Sequence, residues 1–253
     1  MSKAARERSA RERLAEERRR QAVKTKRLRI LLVACSSVIV VALVVVGAVV
    51  YQANSDGDDL KGMAYTGPIA PIKVDQDGLI VMAQPNTTGP TVDLYEDFQC
   101  PICKQFEEKS GDLVKRLAGE GKIKVNFHLL GFVNPEGSVR AAAAGRCAAD
   151  AGRYLQFHDV VYRNQPDERE ALTIDRLKEF GKKAGVGGSF DSCTSDQKYA
   201  SQVKKDTDAG LKLLHEKFGD RAGTPSMLVN GNPVDQNLLF SPKDLEKAIL
   251  DAS

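Results

Sequence analysis

The sequence predicts one α/β domain carrying an all-helical insertion and preceded by a single N-terminal transmembrane helix. Three observations point there. Residues 30–51 form a 22-residue stretch without a charged side chain, rich in Val, Leu, Ile and Ala. Beyond it, strand-like segments stand near both ends of residues 68–253, and a block at about 137–219 between them reads as helices. Last, Cys100-Pro101-Ile102-Cys103 falls where a strand gives way to a helix.

At about 1.5 Å per residue the apolar stretch reaches roughly 33 Å, enough for the hydrocarbon core. Lipid obliges a backbone to satisfy its own hydrogen bonds, so helix wins over the β-branched preference of its side chains. Residues 1–29 hold 12 Lys/Arg against 4 Asp/Glu, while Asp56, Asp58 and Asp59 follow the stretch. The positive-inside rule therefore places residues 1–29 in the cytoplasm and the chain beyond residue 51 outside, as a single-pass protein of the cell membrane. A cleaved signal peptide, the rival reading, has an apolar region of about 7–15 residues ending in a small-residue site. Cys35 opens the run rather than closing it and reads as a small apolar residue in the bilayer.

The basic segment favours helix and carries Glu7→Arg11 and Glu16→Arg20 pairs, but it lacks an apolar stripe. It reads as a solvated helix that fixes topology, with some attraction to anionic lipid, and no nucleic-acid partner is expected. The rest of the chain holds 25 basic and 30 acidic residues, so the net charge of +3 is a basic tail on an acidic body. At 42% hydrophobic the chain is neither disordered throughout nor a multi-span membrane protein.

Residues 52–67, rich in Gly, Asp and Ser, read as a flexible linker to the domain at 68–253. Strands are expected at 79–83 and 91–96, then a helix at 101–118. Strand 122–130 alternates, with Ile123, Val125, Phe127 and Leu129 on one face. Helices follow at 138–151, 153–163, 173–184 and 197–218. Strand 226–229 precedes Asn230-Gly231, a strong two-residue hairpin signal. The last helix, 242–251, has Ser241 to cap it and Pro242 at its first position.

A thiol at a helix N-terminus faces unpaired backbone N–H groups and the positive end of the dipole, which favour thiolate over thiol. Cys103 shares the apolar stripe of Phe106, Leu113 and Leu117, so the exposed thiol is Cys100 and the shielded one Cys103. That asymmetry suits thiol–disulfide exchange. A zinc site would want a second close cysteine pair or histidines at ligand spacing, and Cys147, Cys193, His128, His158 and His215 are scattered. A purely structural bridge at this spacing closes too short a loop to stabilise much. With Cys35 set aside, four cysteines allow three pairings, and a 100–103 pair leaves Cys147 with Cys193. That second bridge is either a stabiliser or a further redox pair. No cofactor or metal is expected.

The run from Asp93 to Phe106 resembles the active-site segment of DsbA-like thiol–disulfide oxidoreductases, which have the thioredoxin fold. Ala141–Asp150 with Tyr154–Asp159 and Asn164-Gln165 resembles that family's helical insertion. Gly223-Thr224-Pro225 with Val229-Asn230-Gly231 resembles its cis-proline loop and following strand. Together the three stretches cover about residues 72–250 in the family's order. The resemblance implies that Cys100 exchanges disulfides, that Cys103 resolves them, and that Thr224-Pro225 is cis and binds extended substrate. One departure stands out. Many thioredoxin-fold enzymes carry a buried acid six residues before the first cysteine, and that position is Leu94 here. Asp97 reads as a surface or capping residue or a substitute relay, and His128 and His158 read as structural.

The expected activity is insertion of disulfides into exported proteins with free cysteines. By family analogy, re-oxidation falls to a membrane partner of the DsbB or vitamin K epoxide reductase type. Isomerase or reductase activity and a non-catalytic thiol-sensing module are the alternatives.

Overall fold

The computed structural model describes residues 61–166 and 171–252. The basic segment 1–29, the transmembrane helix expected at 30–51 and most of the expected linker lie outside the described residues. Among the described residues, no helix is long and apolar enough to cross a membrane.

The sheet is organised about β3 (Thr91–Glu96). With β1 (Ile72–Val74), β2 (Ile80–Met82), β4 (Lys124–Leu129), β5 (Ser226–Val229) and β6 (Asn232–Pro233) it forms the order β1-β2-β4-β3-β5-β6. Among the described residues only β3 and β4 pair in parallel. A parallel pair needs a crossover, and here it is helical. It comprises α1 (Pro101–Phe106), a π-helical turn at Glu107–Gly111 and α2 (Asp112–Gly119).

Strand alternation decides which face each residue meets. Val92 and Leu94 are buried in the main core with Val125, Phe127, Met227 and Val229. On the opposite face, Tyr95 and Leu228 meet Leu130, Leu214 and Phe218. Asn230 and Gly231 adopt φ of 49° and 75° between β5 and β6, the positive values that a two-residue hairpin of this twist requires.

The helical block comprises α3 (Pro135–Asp150), α4 (Tyr154–Arg163), α5 (Ile174–Lys183), α6 (Phe190–Ser195) and α7 (Ala200–Phe218), and α8 (Pro242–Leu250) closes the domain. Ala141 to Ala144 are fully buried, and a Cβ on Gly145 would stand 2.8 Å from Leu129 and 2.9 Å from Phe98. Small residues thus let α3 lie close against the sheet beside the active-site segment.

Six expectations need correction. β1 was not expected: a three-residue, largely exposed edge strand shows no periodicity to read. The helix expected at 101–118 is broken by the π turn, where Ser110 and Gly111 are weak helix formers. α3 begins three residues before 138, because Asn134 caps it and Pro135 occupies its first turn. The insertion is not wholly set apart, since the end of α7 packs on the sheet. Ser241 stands at the N-cap of α8 as expected, but its hydroxyl accepts from no helix N–H and instead donates to Asp244 at 2.6 Å. The globular body also starts before Pro68. Lys61 N–H donates to Asn164 Oδ1 and Asn164 Nδ2 donates back to the Lys61 carbonyl, both at 2.7 Å, while Met63 packs against the core.

Cys147 of α3 is bonded to Cys193 of α6, closing 46 residues of sequence. For a loop of that size the chain-entropy contribution is roughly 4 kcal/mol. Replacing both cysteines with alanine is expected to lower stability by about that amount in urea unfolding. An unchanged midpoint would show that the bond stabilises nothing.

Candidate active site

Strand β3 ends at Glu96, and the chain turns through Asp97-Phe98-Gln99 into α1. Cys100 is the N-cap of α1, with extended backbone (φ −79°, ψ 117°) and Pro101 behind it. Its N–H donates to the Asp97 carbonyl at 2.9 Å, which closes the turn. Several side chains hold this turn rigid. Asp97, fully buried, accepts from the N–H groups of Gln99 (2.8 Å), Phe132 (2.9 Å) and Val133 (3.0 Å). Gln165 Nε2 donates to the carbonyls of Phe98 (2.8 Å) and Cys100 (3.1 Å). Gln99 Oε1 accepts from the Leu172 N–H at 3.1 Å, and any Cβ on Gly137 would collide with that oxygen.

Both active-site thiols are free. Cys103 is wholly buried, and Cys100 is only 6% exposed, less than its helix-terminal position led us to expect. The cover comes from the opposite loop, where the Thr224–Pro225 bond is cis and the Thr224 carbonyl accepts from Cys100 Sγ at 3.3 Å. Ile102, two residues along, remains 45% exposed and gives the rim an apolar spot.

The two thiols ionise very differently. The Cys103 S–H donates to the Cys100 sulfur, and this outweighs burial. With the N–H groups of Cys103 and Ile102 and the side chain of Thr224, it brings Cys100 down to about 6. The Thr224 hydroxyl, buried without a hydrogen-bond partner beside the neutral thiol, can turn to the thiolate. Burial pushes Cys103 well above its ordinary value, and the Cys100 thiolate and the nearby Glu96 carboxylate push it further.

A buried polar cluster lies behind Cys103. Alternation along β3 puts Glu96 on the same inward face as Val92 and Leu94, where it is 1% exposed. His158 of α4 contacts it, Nε2 to Oε2 at 3.0 Å. The other ring nitrogen, Nδ1, lies 3.9 Å from Glu107 Oε2 in the π turn. Lys115 of α2 stands 3.1 Å from Glu107 Oε2 and 2.6 Å from Asp159 Oδ1. Gly111 makes room for this, since a Cβ there would strike the Glu107 carboxylate. Burial raises the Glu96 carboxyl and Glu107 adds to it, against the opposing pull of His158. Burial alone would lower Lys115, but Glu107 and Asp159 hold it protonated.

Glu96, Glu107 and His158 are close enough together to be weighed as a metal site. The donors argue against a chelate. His158 turns its two nitrogens to different carboxylates, and the Lys115 ammonium already occupies the cationic place between Glu107 and Asp159. The arrangement is a charge-compensated cluster in which His158 is hydrogen-bonded to Glu96 and Lys115 pairs with Glu107 and Asp159, while His158 Nδ1 has no hydrogen-bond partner among the described residues.

Cys100, Cys103, Thr224 and Pro225 are thus brought together, whereas Cys147 and Cys193 lie apart in the helical block. Asp97 is neither a surface residue nor the cap of α1; it ties the turn to residues 132–133. His128 stacks on Tyr95 with ring centroids 4.2 Å apart and meets Asp93 at 3.0 Å, on the sheet face away from the thiols. Sequence reasoning passed over Glu96, although the alternation of Val92, Leu94 and Glu96 marked it as inward. Gln165 stands in the stretch that resembles the family's helical insertion, but the resemblance assigns it no role.

Residues 83–251 match a family model described as thioredoxin. The chain is 25% identical over 158 residues to a candidate protein-disulfide oxidoreductase of Rickettsia prowazekii, covering 59% of this chain and 53% of the relative. It is 25% identical over 173 residues to the Na(+)/H(+) antiporter NhaA 3 of Salinispora tropica, covering 64% of this chain but 23% of the antiporter. It therefore spans about half or less of the length of these relatives. Among solved structures, the disulfide bond oxidoreductase DsbG of Mycobacterium tuberculosis superposes with a TM-score of 0.56 at 28% identity, covering 68% of this chain and 82% of the other.

The thiol asymmetry is directly measurable. Alkylation of reduced Cys100 is expected to titrate at about 6. Because the Cys103 S–H is the largest cause of that low value, Cys103→Ala should move the midpoint upward. A midpoint near the ordinary thiol value of about 8.5 in the unmutated protein would refute the assignment.

Proposed function

The chain belongs to the thioredoxin family, and from that membership we propose that it is a membrane-tethered, extracytoplasmic disulfide donor for exported proteins. The observation that carries the proposal is the thiol pair itself: Cys100 lowered to about 6, Cys103 raised, both at the start of one helix. A thiol that ionises easily is a good leaving group, so the disulfide it forms is readily given away.

The proposed steps are these. A substrate thiolate attacks the Cys100 sulfur of the oxidised protein, the Cys100–Cys103 bond breaks, and Cys103 leaves with the electron pair. A second substrate thiolate attacks the substrate sulfur of the mixed disulfide and releases Cys100 as thiolate. The substrate has lost two electrons and the protein holds them as a dithiol. Thr224-Pro225 and the exposed Ile102 offer an extended apolar segment a place to lie against the sulfurs. Re-oxidation requires an external disulfide, and in this reading a membrane protein of the DsbB or vitamin K epoxide reductase type supplies it. The 22 uncharged residues at 30–51 support the tether.

Equilibration of the full chain against glutathione tests the direction of electron flow. A donor should show a potential well above about −200 mV, and a value near about −270 mV would make the protein a reductase. Cys100→Ser should abolish oxidation of a reduced protein substrate, and Cys103→Ser should accumulate mixed disulfides at Cys100. Retained turnover in the Cys100 variant would overturn the assignment.

A further inference from the structure

Two neighbouring amide side chains at the end of α4 hold different parts of the chain. Asn164 follows the last residue of the helix, and its N–H still donates to the Val160 carbonyl at 3.1 Å. Its side chain reaches further. Asn164 Oδ1 accepts from the Lys61 N–H, and Nδ2 donates to the carbonyls of Lys61 and Val160, each at 2.7 Å. Gln165, the next residue, directs its own Nε2 at the thiol-bearing turn, to the carbonyls of Phe98 and Cys100. A side-chain amide has two N–H hydrogens, so both residues donate to capacity.

Residues 61–70 run as a strap from Asn164 to the far end of the β3–β4 crossover. Met63 packs against the main core, and Lys61 and Ala64 line a cavity with Glu107, Glu108 and Asp112 of the crossover. Tyr65 lies within electrostatic reach of Asp112, Arg116 and Glu120 on and just beyond α2. The Pro68 carbonyl approaches so closely that a Cβ on Gly119 would stand 2.0 Å from its oxygen. Ala70 is then buried in the core, and β1 begins at Ile72. The strap thus touches the helices that follow the cysteines, and its first hydrogen bonds are to the residue beside Gln165.

We propose that Gln165 is a positioning residue for Cys100, and that its hold on the active-site turn depends on the strap docked at Asn164. The proposal rests on the reading of Cys100 as the exchanging thiol. Gln165 acts at one remove from the sulfur. It fixes the carbonyls of Phe98 and Cys100, and with them the start of the helix whose Ile102 and Cys103 N–H groups are aimed at Cys100 Sγ. Hydrogen bonds weaken steeply as their direction fails, so a turn that shifts loses part of what stabilises the ionised sulfur. Asn164 fixes the point from which Gln165 reaches. With Lys61 lifted away, the Asn164 side chain keeps, among the described residues, only its bond to Val160 within the same helix. The outer thiol is therefore at full acidity only while the strap is in place. A pull on the chain before Lys61, or a partner that displaces the strap, makes that thiol less acidic without touching either cysteine.

The experiment follows alkylation of Cys100 in the reduced full chain in detergent at a series of pH values, read by the mass of the peptide that carries it. Urea unfolding of each variant runs alongside. Gln165→Ala should raise the alkylation midpoint by about one pH unit, the size expected for a lost hydrogen-bonded hold. Asn164→Ala should raise it by a smaller amount, and Asn164→Asp, which keeps the acceptor for the Lys61 N–H, should recover part of the difference. Lys61→Pro, which removes that N–H from the exposed strap, should shift the midpoint in the same direction. In a Gln165→Ala background, Asn164→Ala should move it no further, because the two residues act in series. Additive shifts in that double variant would overturn the dependence on the strap. A merely structural clamp would lower the urea midpoints and leave the alkylation midpoints of the folded variants at the parent value, which would overturn the proposal. A midpoint at the ordinary thiol value of about 8.5 in the unmutated protein would sink the exchange reading and this proposal with it. Should Gln165→Ala fail to fold, an unshifted midpoint in Lys61→Pro overturns the proposal by itself.

Discussion

One hydrogen bond organises the site, the one from the Cys103 thiol to the Cys100 sulfur. It holds the ionised state on the outer cysteine and the proton on the inner one. Everything around the pair preserves that inequality. The helix start supplies N–H groups to the outer sulfur. The apolar core, with Leu94 where many relatives of this fold carry an acid, denies charge to the inner one. Asp97 and Gln165 freeze the turn between strand and helix, so neither sulfur drifts from its place.

Much of this was legible in the sequence. The central strand 91–96, the cysteine pair at its exit and the Asn230-Gly231 hairpin follow from local rules that a single segment obeys on its own. So does the helical character of residues 137–219. What escaped depends on partners distant in the chain. β1 exists because β2 offers it an edge, and its three residues carry no period. At the π turn Glu107–Gly111, Lys115 pairs with the Glu107 carboxylate, and Gly111 leaves the room that carboxylate takes. Gln165 matters only because tertiary folding brings it under two carbonyls 65 and 67 positions earlier. Glu96 is the instructive case. The period of the strand marked it as inward, yet a charged residue at an inward position draws attention only once its partner, His158, is seen across the core.

The helical insertion therefore serves more than as a cover. It sends His158 to the acid behind the inner thiol, Gln165 to the turn that carries the outer one, and Leu172 to Gln99 beside it. The sheet supplies the positions of the sulfurs, and the insertion supplies much of their polar environment. Changes in the insertion can thus retune the thiols without touching the strand or helix that bears them, one physical route to different potentials on one scaffold.

The bond between Cys147 and Cys193 has a consequence of another kind. Its cysteines are 2% and 8% exposed, so exchange reagents reach them only while the helices around them are open. Closure of that bond must precede the final packing of α3 against α6. In this respect the chain is itself a substrate for oxidation: a newly made copy needs a pair of electrons removed before its own helical layer can seal.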